Sequence, residues 1–192
     1  MAPQTLKTHA TTLVGDRVVL RPMTEDDWDL ILAINNDPEI GYFTEEDEWA
    51  PYTLEQLQRI YRSISQQAHM FVIEYEGRAI GECWLQRMNL PRLIDRFPGR
   101  DLRRIDLAIG DKHLWGQGLG TEVLRLLVRF AFEQEGAEIV FGVDVGGYNS
   151  GSRRAFEKAG FNVLQRIPRP GNPKAEVGYD LVLTREQYLR FL

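Results

Sequence analysis

Apolar and polar positions along the chain fall into short segments with two different periods. Arg17-Val18-Val19-Leu20-Arg21 reads as a strand that Pro22 stops. Thr24 follows as an N-cap ahead of acidic residues that suit a helix start, and Trp28, Ile31 and Leu32 give that helix an apolar stripe. Thr53 and Gln56 form a capping-box pattern, and Leu54, Leu57, Tyr61 and Ile64 share one face of the helix it opens. Between the two helices, Gly41 to Pro51 has no period and reads as an acidic, aromatic loop. His69–Tyr75 and Arg78–Arg87 are β-rich runs joined around Glu76-Gly77, a hairpin signal. Residues 88–101, with Pro91, Pro98 and Gly99, read as a loop, and Arg103–Ile109 as a strand.

A long helix is expected over roughly 119–135, with Leu124, Leu127, Val128 and Ala131 as its buried stripe. Ile139–Val145 is a further strand, and a helix from about Ser150 to Ala159 ends at Gly160, a C-cap residue. Strands near 161–167 and 175–183 precede a last helix capped by Thr184 and Gln187. Residues 1–14 read as a flexible leader and residues 15–192 as one domain. The order β-α-α-β-β-β-α-β-α-β-β-α predicts a mixed α/β fold on one central sheet.

Composition narrows the function. The 192 residues carry 43% hydrophobic and 27% charged side chains and a net charge of -5. An acidic balance turns away from nucleic acid, because phosphate binding wants a basic surface. It suits a cationic, amine-bearing small molecule or a basic peptide better. Cys83 is the one cysteine, so neither an internal disulfide nor a cysteine zinc site is expected. His9, His69 and His113 lack metal-ligand spacing, so no metal is expected. No run approaches the ~20 apolar residues of a membrane span, and the first residues lack a signal-peptide apolar core. A cytoplasmic protein is the resulting expectation.

The strongest chemical signal is Trp115-Gly116-Gln117-Gly118-Leu119-Gly120-Thr121, between a strand and the long helix. Glycines let backbone amides approach a ligand, and a helix N-terminus adds unpaired N–H groups and a positive dipole end. A diphosphate would fit, and so would a tight strand–helix turn with no ligand. A dinucleotide fingerprint would come earlier, in a βαβ unit, and a P-loop ending in Gly-Lys-Ser/Thr is missing.

Two motifs together carry a resemblance. The run Trp115-Gly116-Gln117-Gly118-Leu119-Gly120 is similar to the Gln/Arg-x-x-Gly-x-Gly/Ala signature of the GCN5-related N-acetyltransferase (GNAT) superfamily, with Trp115 in place of Gln/Arg. Downstream, Asn149 to Phe161 resembles that family's Asn-x-x-(Ala/Ser)-x-x-x-(Tyr/Phe)-x-Lys-x-Gly-Phe segment. The resemblance spans Arg17 to Leu183. It implies a central, mostly antiparallel sheet that splays between its fourth and fifth strands, flanked by helices. It implies acetyl-CoA as co-substrate, with the pyrophosphate on Trp115, Gly116, Gln117, Gly118, Leu119, Gly120 and Thr121. It implies a donor to the thioester on the strand of Leu107, Ala108 and Ile109, and Asn149 beside the pantetheine arm.

Within the superfamily, Arg103-Arg104-Ile105-Asp106 and Phe141-Gly142-Val143-Asp144 look like the acidic positions of aminoglycoside 6'-N-acetyltransferases. The run Tyr179 to Arg185 is also similar to that group. The resemblance makes Asp106 the catalytic base and Asp144 a substrate contact. Ile105, Leu107 and Ile109 point one way along their strand, so Asp106 points to the other face. Pairing with Arg104 on a solvated face is the rival reading for Asp106.

Glu82, Trp84 and Gln86 share a strand face, where Glu82 and Trp84 would contact substrate, with Glu82 either binding a cationic ring or relaying a proton, unless that face is merely half-solvated. The run Glu45-Glu46-Asp47-Glu48 reads either as a solvated loop or, with Tyr42, Phe43, Trp49 and Tyr52 around it, as a wall for a polycationic sugar. Phe156 stands where many members have a general-acid Tyr, which leaves Tyr148, another group or an unaided thiolate.

The expected reaction is direct acetyl transfer in a ternary complex. A lysine-like amine near pKa 10.4 costs about 4–5 kcal/mol to deprotonate at pH 7, at ~1.36 kcal/mol per unit, so a carboxylate at the nucleophile would help. Acetylation of protein N-termini and non-catalytic acetyl-CoA binding are the alternatives, and free strand edges leave a homodimer open.

Overall fold

A computed structural model describes residues 4–44 and 49–190. Eight strands form one sheet: β1 (Leu13–Val14), β2 (Val18–Pro22), β3 (Ala68–Tyr75), β4 (Arg78–Arg87), β5 (Leu102–Ile109), β6 (Ile139–Gly146), β7 (Asn162–Pro168) and β8 (Val177–Thr184). Their order is β1-β2-β3-β4-β5-β6-β8-β7. Neighbours are antiparallel except β5 and β6, which run parallel. That parallel ladder joins only Leu102–Arg104 to Ile139–Phe141. Beyond it the two strands part, which is the split expected between the fourth and fifth sequence-predicted strands.

Helices α1 (Trp28–Asn35), α2 (Pro38–Thr44), α3 (Leu54–Ser65), α4 (Pro91–Ile94), α5 (Leu119–Glu133), α6 (Ser150–Lys158) and α7 (Arg185–Leu189) cover the sheet. Capping boxes at Thr53/Gln56 and Thr184/Gln187 open α3 and α7. Thr24 caps a 3-10 turn, Glu25–Asp27, that leads into α1. The alternation of β3 divides the core. Phe71 and Ile73 join the cluster that α5 buries with Val123, Leu124, Leu127 and Ala131. Met70 and Val72 join the opposite cluster, with Trp28 and Ile31 of α1 and Leu57 and Tyr61 of α3. Each Val, Leu, Ile, Phe or Met side chain among them contributes about 1.5–3 kcal/mol on full burial. Glu82 and Trp84 lie on the α1/α3 side, since Cys83 and Leu85 belong to the α5 cluster.

Three regions differ from the sequence expectation. The leader is pinned rather than loose from Leu6 onward: Leu6 is buried, the Lys7 amide donates to Ser65 Oγ at 2.9 Å, and Leu13 pairs with Leu20. Part of the expected loop from Gly41 is the helix α2. Asp37 Oδ1 caps it by accepting from the Glu39 and Ile40 amides, and Pro38 fits its first turn. In the 88–101 loop, Pro91 starts α4, which buries Leu93. Both helices are too short for a period to show. The acidic run Glu45–Glu48 lies outside the described residues.

Candidate active site

The parting of β5 from β6 opens a cleft of about 460 Å³. Its floor is Glu82 and Trp84 of β4 and Asp106, Leu107 and Ala108 of β5; α1 and α3 close one side, and Asp144, Tyr148 and Asn149 the other. Cross-strand register sets Trp84 opposite Asp106 and Glu82 opposite Ala108, so both carboxylates share one face. The cleft therefore gathers Glu82, Trp84, Asp106, Leu107, Ala108, Asp144 and Asn149 from the expected site. Ile109 and the turn Trp115 to Thr121 lie outside its lining.

Glu82 is 4% exposed. Its Oε1 accepts from the Tyr61 hydroxyl at 2.5 Å and from Asn35 Nδ2 at 3.4 Å. Its Oε2 is buried without a hydrogen-bond partner among the described residues, as is Trp84 Nε1. Burial pushes the Glu82 pKa up to about 7, against the lowering hydrogen bonds from Tyr61 and Asn35, with the Asp106 charge adding to the rise. Burial and the Glu82 charge hold the Tyr61 phenol well above its ordinary value, so it stays a donor.

Asp106 is held differently. Arg104 Nε donates to Asp106 Oδ2 at 2.9 Å and Nη2 to Oδ1 at 2.7 Å. Both oxygens of the residue expected as the base are thus engaged by a two-pronged ion pair.

Asp144 sits at a bulge in β6 with φ 51, a conformation costly for a residue with a Cβ. Its amide donates to Asp180 Oδ1 at 3.0 Å, and Arg169 Nη2 donates to its carbonyl at 2.8 Å. Arg92 Nη2 lies 2.9 Å from both Asp144 Oδ2 and Asp180 Oδ1. Gln165 donates to the other oxygen of Asp180, which is fully buried. Spacing along the chain gave no sign of Tyr61, Asn35, Arg92 or Arg169 as site partners, because each comes from a helix or loop that only tertiary packing brings to its carboxylate.

The glycine turn has the expected local form. Gly116 and Gly118 take φ 76 and φ 85, and Gly118 precedes α5 with no side-chain cap among the described residues. The first-turn amides of α5 have no intrahelical acceptor and are available to an anion. Trp115 does not project to a ligand through its indole nitrogen: Nε1 donates to the Ile109 carbonyl at 2.8 Å and ties the turn to the end of β5. Asn149 caps α6 by accepting from the Ser152 amide at 3.0 Å, and its Nδ2 donates to the Phe43 carbonyl at 3.3 Å. Trp49 sits off the cleft, with Nε1 donating to the Asn35 carbonyl at 3.0 Å. Phe156 packs over Gly142, where a Cβ would lie 2.6 Å from its ring. Among the described residues no group of three or more His, Cys, Asp or Glu could hold a metal, and no helix is long and apolar enough to cross a membrane.

Fold and cleft together define the class: a mixed sheet split at its parallel pair, an amide-rich helix start at one end of the split and a carboxylate-lined cleft beneath it. The family model for the acetyltransferase (GNAT) domain matches residues 17–162, and the chain belongs to that family. The family uses acetyl-CoA as its acetyl donor.

Solved structures share the fold. The aminoglycoside acetyltransferase AAC(6')-Ib, in complex with ribostamycin and coenzyme A, is 24% identical with a TM-score of 0.71, over 91% of this chain and 97% of that one. RimJ of Mycobacterium smegmatis, in complex with CoA-disulfide, is 16% identical with a TM-score of 0.72, over 93% of this chain and 89% of that one. A spermidine N-acetyltransferase SpeG chimera involving Vibrio cholerae is 16% identical with a TM-score of 0.69, over 91% and 99%.

Proposed function

We propose that this protein transfers the acetyl group of acetyl-CoA to a primary amine of an aminoglycoside-type antibiotic by direct attack in a ternary complex. The observation that carries the proposal is the cleft itself. Glu82, Asp106 and Asp144 line one cavity from three strands, and a polyamine sugar presents several cations to match them. The fold likeness to AAC(6')-Ib, whose structures hold ribostamycin or another aminoglycoside with coenzyme A or acetyl-CoA, supports the same substrate class.

The chain fits acetyl-CoA by its own geometry. The uncapped start of α5 and the left-handed Gly116 and Gly118 suit the pyrophosphate. Among the described residues, the β6-facing edge of β5 beyond Arg104 has no strand partner, which leaves backbone N–H groups for the pantetheine arm and the thioester carbonyl. Asn149 and Tyr148 lie across from that edge. Acetyl-CoA, when bound, supplies the activated acetyl group; the residues described orient the amine against it.

The lack of a usable thiol supports direct attack. Cys83 is fully buried in the α5 cluster, and burial pushes its pKa well up, so it does not serve as an acetyl carrier.

The test is thiol release from acetyl-CoA across a panel of aminoglycosides, polyamines and basic peptides. Turnover on aminoglycosides at the highest kcat/KM supports the proposal. Turnover confined to peptides would replace it with protein N-terminal acetylation, a reading to which the likeness to RimJ lends weight.

A further inference from the structure

We infer that Glu82, rather than Asp106, takes the proton from the attacking amine, with Tyr61 and Asn35 holding its carboxylate in place. The inference rests on the amine-acetylation reading above and names the acceptor within that site.

Three observations carry it. First, occupancy differs between the two carboxylates. Both oxygens of Asp106 are engaged by Arg104, whereas Glu82 keeps one buried oxygen without a partner among the described residues. A buried acceptor left unpaired is expensive, and a ligand N–H in the cleft would satisfy it. Second, that oxygen belongs to a residue lining the cleft, beside Ala108 on the strand edge that faces the split. Third, Glu82 is oriented. Tyr61 from α3 and Asn35 from α1 both donate to Oε1, and so leave Oε2 as the reactive oxygen.

The charged and titratable groups that bear on Glu82 are Tyr61 on α3, Asp106 and its partner Arg104 on β5, and Cys83 on β4. Their sum agrees with the geometry: a carboxyl held up to about 7 accepts from an ammonium more readily than one at the ordinary 4.5.

The step balances. Glu82 Oε2 takes one proton from R–NH3+ to leave R–NH2 and a neutral carboxyl. The freed nitrogen lone pair forms the C–N bond to the acetyl carbon as the C–S bond breaks. The sulfur leaves with the bond pair and takes a second nitrogen proton to become the thiol. Glu82 then returns its proton to solvent.

The experiment is the pH profile of kcat/KM for ribostamycin with the wild type, E82Q, Y61F and D106N. The free proteins are followed in parallel by infrared difference spectroscopy of the protonated-carboxyl band. Wild-type kcat/KM should rise with pH through an ionisation near 7, matched by loss of a carboxyl band over the same range.

E82Q should lose both the ionisation and the band and fall by about 100-fold or more. Y61F removes a hydrogen bond that favours the charged form, so its limb and band should move to higher pH, with Glu82 still acting. D106N should keep the limb. Retention of the limb and the band by E82Q, or their loss in D106N instead, overturns the inference. If the wild type acetylates no amine in the panel, the acetylation reading falls and takes this assignment with it, whatever the band does.

Discussion

At the residue scale, the site is a set of carboxylates with unequal surroundings. Asp106 is clamped by Arg104, Asp144 is bent into a left-handed backbone by Asp180 and Arg169, and Glu82 is buried against two donors. Glu82 carries a cost in stability with a definite sign. Its folded pKa, about 7, lies above its ordinary 4.5, so between those values the folded state binds more protons than the unfolded one. Stability attributable to Glu82 therefore falls as pH rises across that window, by about 3 kcal/mol at ~1.36 kcal/mol per unit. Denaturant unfolding of E82Q should show a flatter decline from pH 4.5 to 7.5 and a protein no less stable than the wild type at the upper end. A steeper decline in E82Q would contradict the buried, proton-holding state. The family resemblance pointed to Asp106 and Asp144, and strand alternation set the faces of Asp106 and Glu82. Neither showed which of them were occupied, because their partners lie 2 to 52 positions away and are set by tertiary packing.

At the element scale, the decisive feature is the parallel pair that parts after three residues. It creates the cleft and exposes the edge of β5 beside the start of α5. The turn into α5 needs Gly118 at φ 85, where a side chain would strain the backbone by roughly 1–2 kcal/mol, although space for a Cβ exists. Gly118→Ala should therefore raise KM for acetyl-CoA several-fold and leave KM for the amine nearly unchanged, as measured by varying each substrate in turn. An equal rise in both would mean that the turn serves the whole cleft instead. The long helices, the hairpin and three capping motifs were legible from period and cap chemistry. The helices α2 and α4 were not, because each runs for two turns or fewer and announces itself only by a proline. Trp115 was legible as part of the turn, but its bond to the Ile109 carbonyl was not, since that depends on how the turn folds back.

At the scale of the whole molecule, a net charge of -5 favours a cationic partner. Attraction of this kind weakens with salt, so KM for an aminoglycoside should climb between low and physiological ionic strength, while KM for a monoamine should move less. The fold was readable from the order of elements and the two motifs, because both are local in sequence. The amine was not, because its walls come from β4, β5, β6, α1 and α3 together. Incubation with acetyl-CoA and ribostamycin, followed by mass spectrometry of the sugar, decides whether the protein acetylates an aminoglycoside. One added acetyl group on an amine nitrogen is expected, with one thiol released for each acetyl transferred. Unmodified ribostamycin, alongside acetylated basic peptides under the same conditions, would contradict the proposed activity.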